Sequence, residues 1–327
     1  MASIMSARQV LRLGNRLSVR SYSSAVKHEG ARDVKRLGVI GAGQMGLGIA
    51  LVAAMKAQVP VTLVDSSQKS LDKGLVFADT LLAKQVAKEK LTQSQADAAR
   101  ALLLPTTSLD ALHEADFVIE AVPEIPSLKF ELFSRLASIA PSHAVLATNT
   151  SSISITRIAA ATQDPSKPLD TSASSRVVAT HFMNPVPVQK GVELISGLQT
   201  SPTTLATAVS FVEKMGKIVS YSVDSPGFLA NRILMPYINE AIICLESGVG
   251  DRDSIDAIMK NGTNVPMGPL QLADFIGLDT CLAIMNVLHT ETGDSKYRPS
   301  VLLKNYVAAG WLGKKSGKGF YEYAQKK

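Results

Sequence analysis

Cysteine is almost missing. Cys244 and Cys281 are the only two in 327 residues, and they are far apart in sequence. That excludes a disulfide framework and a cysteine zinc site, and it fits a reducing or redox-neutral compartment. Long apolar runs are missing too. No stretch reaches the roughly 18 consecutive apolar residues of a membrane helix, and the most apolar candidate, 228–247, is interrupted by Arg232 and Glu240. No membrane insertion is expected. Acid is absent from residues 1–28, which hold Arg8, Arg12, Arg16, Arg20 and Lys27. The remainder has 29 basic residues against 28 acidic ones, so the formal charge of +6 is not spread over a polyanion-binding body. No nucleic-acid partner is expected. With 46% hydrophobic and 19% charged residues, the composition is globular, and the length suits about two domains of the usual size.

The four arginines recur every fourth residue with Val10, Leu11, Leu13, Leu17 and Val19 between them. On a helix they form a basic stripe beside an apolar one. Together with the serines and the absence of acid, this is the composition of a mitochondrial transit peptide over 1–28. The expected location is the mitochondrial matrix. A basic tail without a targeting role is the plainer alternative.

From Arg36 onward the chain alternates strand, turn and helix. The run Arg36-Leu-Gly-Val-Ile40 reads as a strand entering Gly41-Ala-Gly-Gln-Met-Gly46, and a helical pattern extends to Lys56. A second strand, Val61-Thr-Leu-Val64, ends in Asp65, 19 residues beyond the third glycine. In this context the glycines have separate duties. Gly41 permits a tight turn, Gly43 lets a pyrophosphate approach the backbone, and Gly46 lets helix and strand pack closely. Gln44 and Met45 belong to the same loop. The helix start offers unpaired N–H groups to phosphates. Asp65 can accept hydrogen bonds from the adenine ribose and repels a 2′-phosphate, so NAD is the expected cofactor.

Further helical stretches are expected over 66–90 and after Thr92, with strands at 117–122 and 144–147 and a helix capped by Ser127 between them. Such alternation predicts a parallel, doubly wound α/β sheet. Glu124 and Asn149 follow the carboxyl ends of two strands, where ligands bind in such sheets. Ser151 is open between an N-cap and a substrate contact. His181 and Glu193 fall on extended segments joined by a Pro-broken loop. A histidine suits proton transfer near neutral pH, and a carboxylate on its far nitrogen would fix the tautomer. Alone, a histidine at a strand end is more often structural. Past Asp224 strands vanish, and apolar residues recur every four from Leu229 to Leu245. That broad face suggests helices packed on a second subunit, or else a monomeric core.

Several motifs together carry a resemblance. His181-Phe-Met-Asn-Pro-Val186, Val192-Glu-Leu-Ile195, Asn149-Thr-Ser-Ser152, Ser225-Pro-Gly-Phe-Leu-Ala-Asn-Arg232, Met267-Gly-Pro-Leu270 and Gly313-Lys-Lys-Ser-Gly-Lys-Gly-Phe-Tyr321 resemble, in order, the L-3-hydroxyacyl-CoA dehydrogenase family. The likeness runs from about residue 35 to the C-terminus. It implies a Rossmann-type doubly wound sheet over 33–223, then an all-α substrate and dimerisation domain over 225–327. It also implies NAD-dependent oxidation of L-3-hydroxyacyl-CoA to 3-oxoacyl-CoA in fatty-acid β-oxidation, without a metal, by a homodimer joined through its C-terminal helices. By the same resemblance His181 is the base and Glu193 its partner. Ser151 and Asn231 lie near the reacting oxygen, and Asn184 supports the catalytic loop. Glu124, Lys129 and Asn149 surround the nicotinamide half, and Lys84 and Lys88 face the CoA phosphates, although exposed lysines are commonly just solvated. The interval between Ser151 and His181 is longer than the family's, with the extra residues expected in a surface loop over 164–175. Two alternatives stand beside this reading: a dehydrogenase of a free hydroxy acid (the gulonate or crystallin-like branch), and a non-catalytic NAD-binding protein.

Overall fold

The computed structural model describes residues 30–167 and 169–324; the basic segment 1–28, with its expected targeting role, lies outside them. Eight strands form one sheet: β1 Leu37–Ile40, β2 Val61–Val64, β3 Leu103–Thr106, β4 Phe117–Glu120, β5 Val145–Thr148, β6 Val177–Phe182, β7 Gly191–Ser196 and β8 Ile218–Val223. Their order is β3-β2-β1-β4-β5-β6-β7-β8. All neighbours run parallel except β6 and β7. The expectation of a parallel sheet therefore needs one correction: β7 and β8 run against the rest, because the loop after Phe182 is too short for a crossover and returns the chain as a hairpin-like pair.

β1, β4 and β5 are buried along their whole length, as strands covered on both faces must be. The covering helices are α1 Gln44–Val52, α2 Gln68–Ala87, α3 Gln93–Ala101, α4 Pro126–Ile139, α5 Ile155–Ala160 and α6 Pro202–Lys214. Two apolar clusters form the packing of the sheet domain. Ser127 does not cap α4; Pro126 is the first helical residue, so the helix starts two positions earlier, with Ile125 before it and no side-chain cap. Pro at that position costs no hydrogen bond and presets φ. Ser151 does not cap a helix either. The chain continues three residues further, and Ser154 caps α5 by accepting from the Arg157 N–H.

The order reverses direction at β1, which lies between β2 and β4 and so opens the crevice where ligands bind in such sheets. Gly41 there has φ +102, and a Cβ on Gly46 would stand 1.9 Å from the Gly41 carbonyl oxygen. A Cβ on Gly43 would meet nothing within 4 Å. These are the separate glycine duties expected from the spacing.

After β8 the chain is helical: α7 Ala230–Glu246, α8 Arg252–Gly262, α9 Pro269–Ile276, α10 Leu278–Thr292 and α11 Val301–Ala308. They share a third apolar cluster that includes Met235, Ile242, Leu270 and Leu288. Two acids tie this domain together. Asp256 accepts from the N–H groups of Leu270 and Gln271 at the start of α9 and from the Tyr321 hydroxyl. Asp274 accepts from the Phe320 and Tyr321 N–H groups and the Tyr323 hydroxyl. Burial pushes the Asp274 carboxyl up, against the restraint of those donors. Two glycines of the 267–270 and 313–321 motifs are explained by this crowding: a Cβ on Gly268 would reach 2.4 Å from Asp256, and one on Gly319 would reach 2.0 Å from Asp274.

Candidate active site

The β6–β7 register sets His181 opposite Glu193, and directly opposed residues project to the same face of an antiparallel pair. His181 Nδ1 lies 3.0 Å from Glu193 Oε2, and both side chains are buried. On the other side of the ring, Nε2 lies 3.2 Å from Ser151 Oγ. An ionised carboxylate only accepts, so the proton of a neutral imidazole sits on Nδ1. Nε2 is left as the acceptor facing Ser151.

Glu193 has a second task. Its Oε1 accepts from the N–H groups of Leu229 (2.8 Å) and Ala230 (3.0 Å) at the opening of α7. Phe228, with φ +50, turns the chain into that position, and its ring meets the His181 ring edge-on at 6.1 Å. One carboxylate therefore holds His181 and the helical domain together.

The Ser151 loop is fixed from below. Glu124 Oε1 accepts from the Thr150 hydroxyl and from the N–H groups of Ser151 and Ser152, while Asn231 Nδ2 donates to the Ser151 carbonyl at 3.1 Å. Lys129 is buried, with its ammonium 2.6 Å from Glu120 and 3.4 Å from Glu124. It meets the cleft through Glu124 and through the Val122 carbonyl, to which it donates. Glu120 also accepts from the Thr148 hydroxyl and the Val122 N–H. A buried cation needs this kind of full pairing. Asn149 Oδ1 accepts from the Phe182 N–H beside His181. Asn184 Oδ1 accepts from Gln44 Nε2, which joins the loop after β6 to the glycine loop.

Two residues of this framework escaped the sequence reading, Glu120 and Asp224. Asp224 accepts from the Ser154 hydroxyl and the N–H groups of Ile155 and Thr156, just beyond the Ser151 loop. Glu120 left a readable trace, an acid ending an apolar strand nine positions before a lysine. Asp224 left none, since its partners are about 70 residues away. Lys84 and Lys88 stand exposed at the C-terminal end of α2 and take no part in the network around His181. Cys281 is buried, and desolvation pushes its thiol up to about 12, which removes it as a thiolate nucleophile near neutral pH.

A cavity of about 440 Å³ opens beside this group. Met45, Val122, Glu124, Asn149 and Ser151 line one side, and Thr280, Ala283 and Val287 of α10 line the other. His181 borders it through Ser151. The adjoining crevice fits a dinucleotide: α1 begins at Gly43 with no side-chain cap on its first N–H groups, and the space over Gly43 is open. Asp65 accepts from the Ala42 and Ser67 N–H groups at the end of β2. Uncapped helix-start donors beside an open glycine suit a pyrophosphate.

Comparison with known proteins gives the same picture. The model of the 3-hydroxyacyl-CoA dehydrogenase NAD binding domain matches residues 36–224, and that of the 3-hydroxyacyl-CoA dehydrogenase C-terminal domain matches 227–323. A probable 3-hydroxybutyryl-CoA dehydrogenase of Bacillus subtilis is 49% identical over 294 residues, covering 90% of this chain and 99% of the relative. The mitochondrial hydroxyacyl-coenzyme A dehydrogenase of Rattus norvegicus is 40% identical over 298 residues, covering 89% and 91%. The crystal structure of (S)-3-hydroxybutyryl-CoA dehydrogenase from Ralstonia eutropha superposes with a TM-score of 0.84 at 44% identity, over 90% of this chain and all of that one. With both domains matched in order and the dinucleotide crevice in place, the chain belongs to the 3-hydroxyacyl-CoA dehydrogenase family and binds NAD.

Proposed function

We propose that the protein oxidises L-3-hydroxyacyl-CoA to 3-oxoacyl-CoA, with His181 as the general base. The observation that carries this reading is the Ser151–His181–Glu193 chain, buried at the edge of a cavity between the glycine loop and the helical domain. Bound NAD supplies the hydride acceptor. The substrate hydroxyl takes its place at His181 Nε2, within reach of Ser151 Oγ, and gives up its proton there as the C3–H bond breaks. Glu193 stabilises the resulting imidazolium from the Nδ1 side. Glu124 and Asn231 keep Ser151 in position, and the exposed Lys84 and Lys88 are available to the CoA phosphates.

Steady-state NADH formation across a ladder of L-3-hydroxyacyl-CoA thioesters, with the free 3-hydroxy acids alongside, tests the reading. Turnover that depends on CoA supports it. Turnover of the free acids alone would instead support the hydroxy-acid alternative, and no turnover of either would support a binding role. Cofactor choice gives a second measure. Asp65 with Ser66 and Ser67 after it leaves a 2′-phosphate facing a carboxylate and no arginine. A strong preference for NAD over NADP is expected, and Asp65→Ala should narrow it. Equal efficiency of the unmodified enzyme with both cofactors would remove Asp65 from this role.

The reading extends to place and assembly. The acid-free basic segment supports import into mitochondria, where β-oxidation takes place, and the name of the rat relative is consistent with that. N-terminal sequencing of protein from its own cells should find a start between Tyr22 and Lys27; an intact Met1 chain in the cytosol would overturn the assignment. Leu229, Ile233, Ile258 and Phe275 stay exposed on the helical domain, which supports a homodimer through these helices.

A further inference from the structure

The cavity has two unlike walls. On the sheet side Met45, Ala121 and Val122 follow the carboxyl ends of β1 and β4, the edge along which a dinucleotide held by the glycine loop must run. Opposite them, α10 presents Thr280, Ala283, Ile284 and Val287, spaced so that they share one helix face. Substrate C3 has to sit by Ser151 and His181, between those walls. With the cofactor against the sheet side, the part of the acyl group beyond C3 is left to lie on α10. The stripe is polar at one end only. Asp279, one turn before Ala283, lines the cavity and is ion-paired to Lys315 at 2.6 Å. A hydrocarbon tail gains nothing from that pair, so it extends the other way, past Ala283 toward Val287.

We infer that this face of α10 is the wall that measures the acyl chain, and that the small side chain of Ala283 sets the room beyond C3. The inference rests on the proposed dehydrogenase reading and adds the specificity determinant to it. Ala283 is exposed, so a larger residue there projects into the cleft and does not disturb the helical core.

The test compares kcat/KM for four-carbon and eight-carbon L-3-hydroxyacyl-CoA in the unmodified enzyme, Ala283→Leu and Val287→Ala. Leucine adds three carbons. Since one methylene of misfit in an apolar pocket is worth about 10-fold or more, Ala283→Leu should lower the eight-carbon to four-carbon ratio by at least that factor. Val287→Ala should raise the ratio, which keeps the test informative if the leucine variant folds poorly. Unchanged ratios in both variants would overturn the inference. So would a rise in KM for NAD in place of a ratio change, because α10 would then face the cofactor. If the unmodified enzyme turned over neither thioester, the dehydrogenase reading itself would fall, an outcome distinct from altered selectivity in an active enzyme.

Discussion

Replacing His181 by glutamine is expected to lower turnover by about 10²- to 10⁴-fold, the usual loss when a general base is removed. Glutamine can fill the same buried slot and still donate to Glu193, so the β6–β7 pairing should survive. It cannot take a proton. NAD affinity should change little, because the glycine loop and Asp65 share no hydrogen bond with the His181 pair. Turnover by stopped-flow or steady-state NADH formation, read beside NAD binding by fluorescence titration, separates the two effects. Near-normal turnover with NAD binding intact would make the pair structural, and the proton would have to leave by another route.

The second large effect is expected at Glu193. In Glu193→Gln the amide oxygen can satisfy either the α7 donors or His181 Nδ1, but not both. Two backbone N–H groups compete with one ring N–H. If the oxygen stays with Leu229 and Ala230, the amide NH₂ faces Nδ1 and forces the ring proton onto Nε2. The base is then blocked, as when the carboxylate of a catalytic triad becomes an amide, and a similar loss of about 10²- to 10⁴-fold results. A kcat loss well beyond any change in melting temperature or NAD affinity would support this. Near-normal turnover in a folded Glu193→Gln protein would show that the tautomer does not depend on Glu193.

These sites differ in how far the sequence exposed them. The glycine loop was legible because each glycine answers a local demand, and the structure repeats those demands at Gly41, Gly43 and Gly46. His181 and Glu193 were visible as residues on extended segments, but only the strand register brings them face to face. β3 escaped notice because Leu-Leu-Pro-Thr is four residues long and contains a proline. Proline is tolerated there because β3 is an edge strand, where the missing N–H interrupts no second ladder. The Ser127 cap, and the cap option left open for Ser151, failed for a different reason. A serine near a helix start is a strong local signal, yet Pro126 and Ser154 supply competing starts a few residues away. Glu120 and Asp224 are tertiary residues, and no window along the chain contains both them and all their partners.

The clasp on Asp274 makes residues 320–323 part of the helical domain's framework. Residues 320–323 hold that carboxylate, the Leu278 N–H donates to the Leu312 carbonyl, and Lys315 grips Asp279. Residues 312–323 are thus fastened to the end of α9 and to the first turn of α10, the helix that faces the cleft. Trimming back to Gly319 would strip Asp274 of three donors and of the residues that carry them. It would also loosen the clasp behind the cleft wall. Exopeptidase nicking or an ill-placed C-terminal tag would be felt first as a change in the cavity beside α10, well before the sheet domain lost its fold.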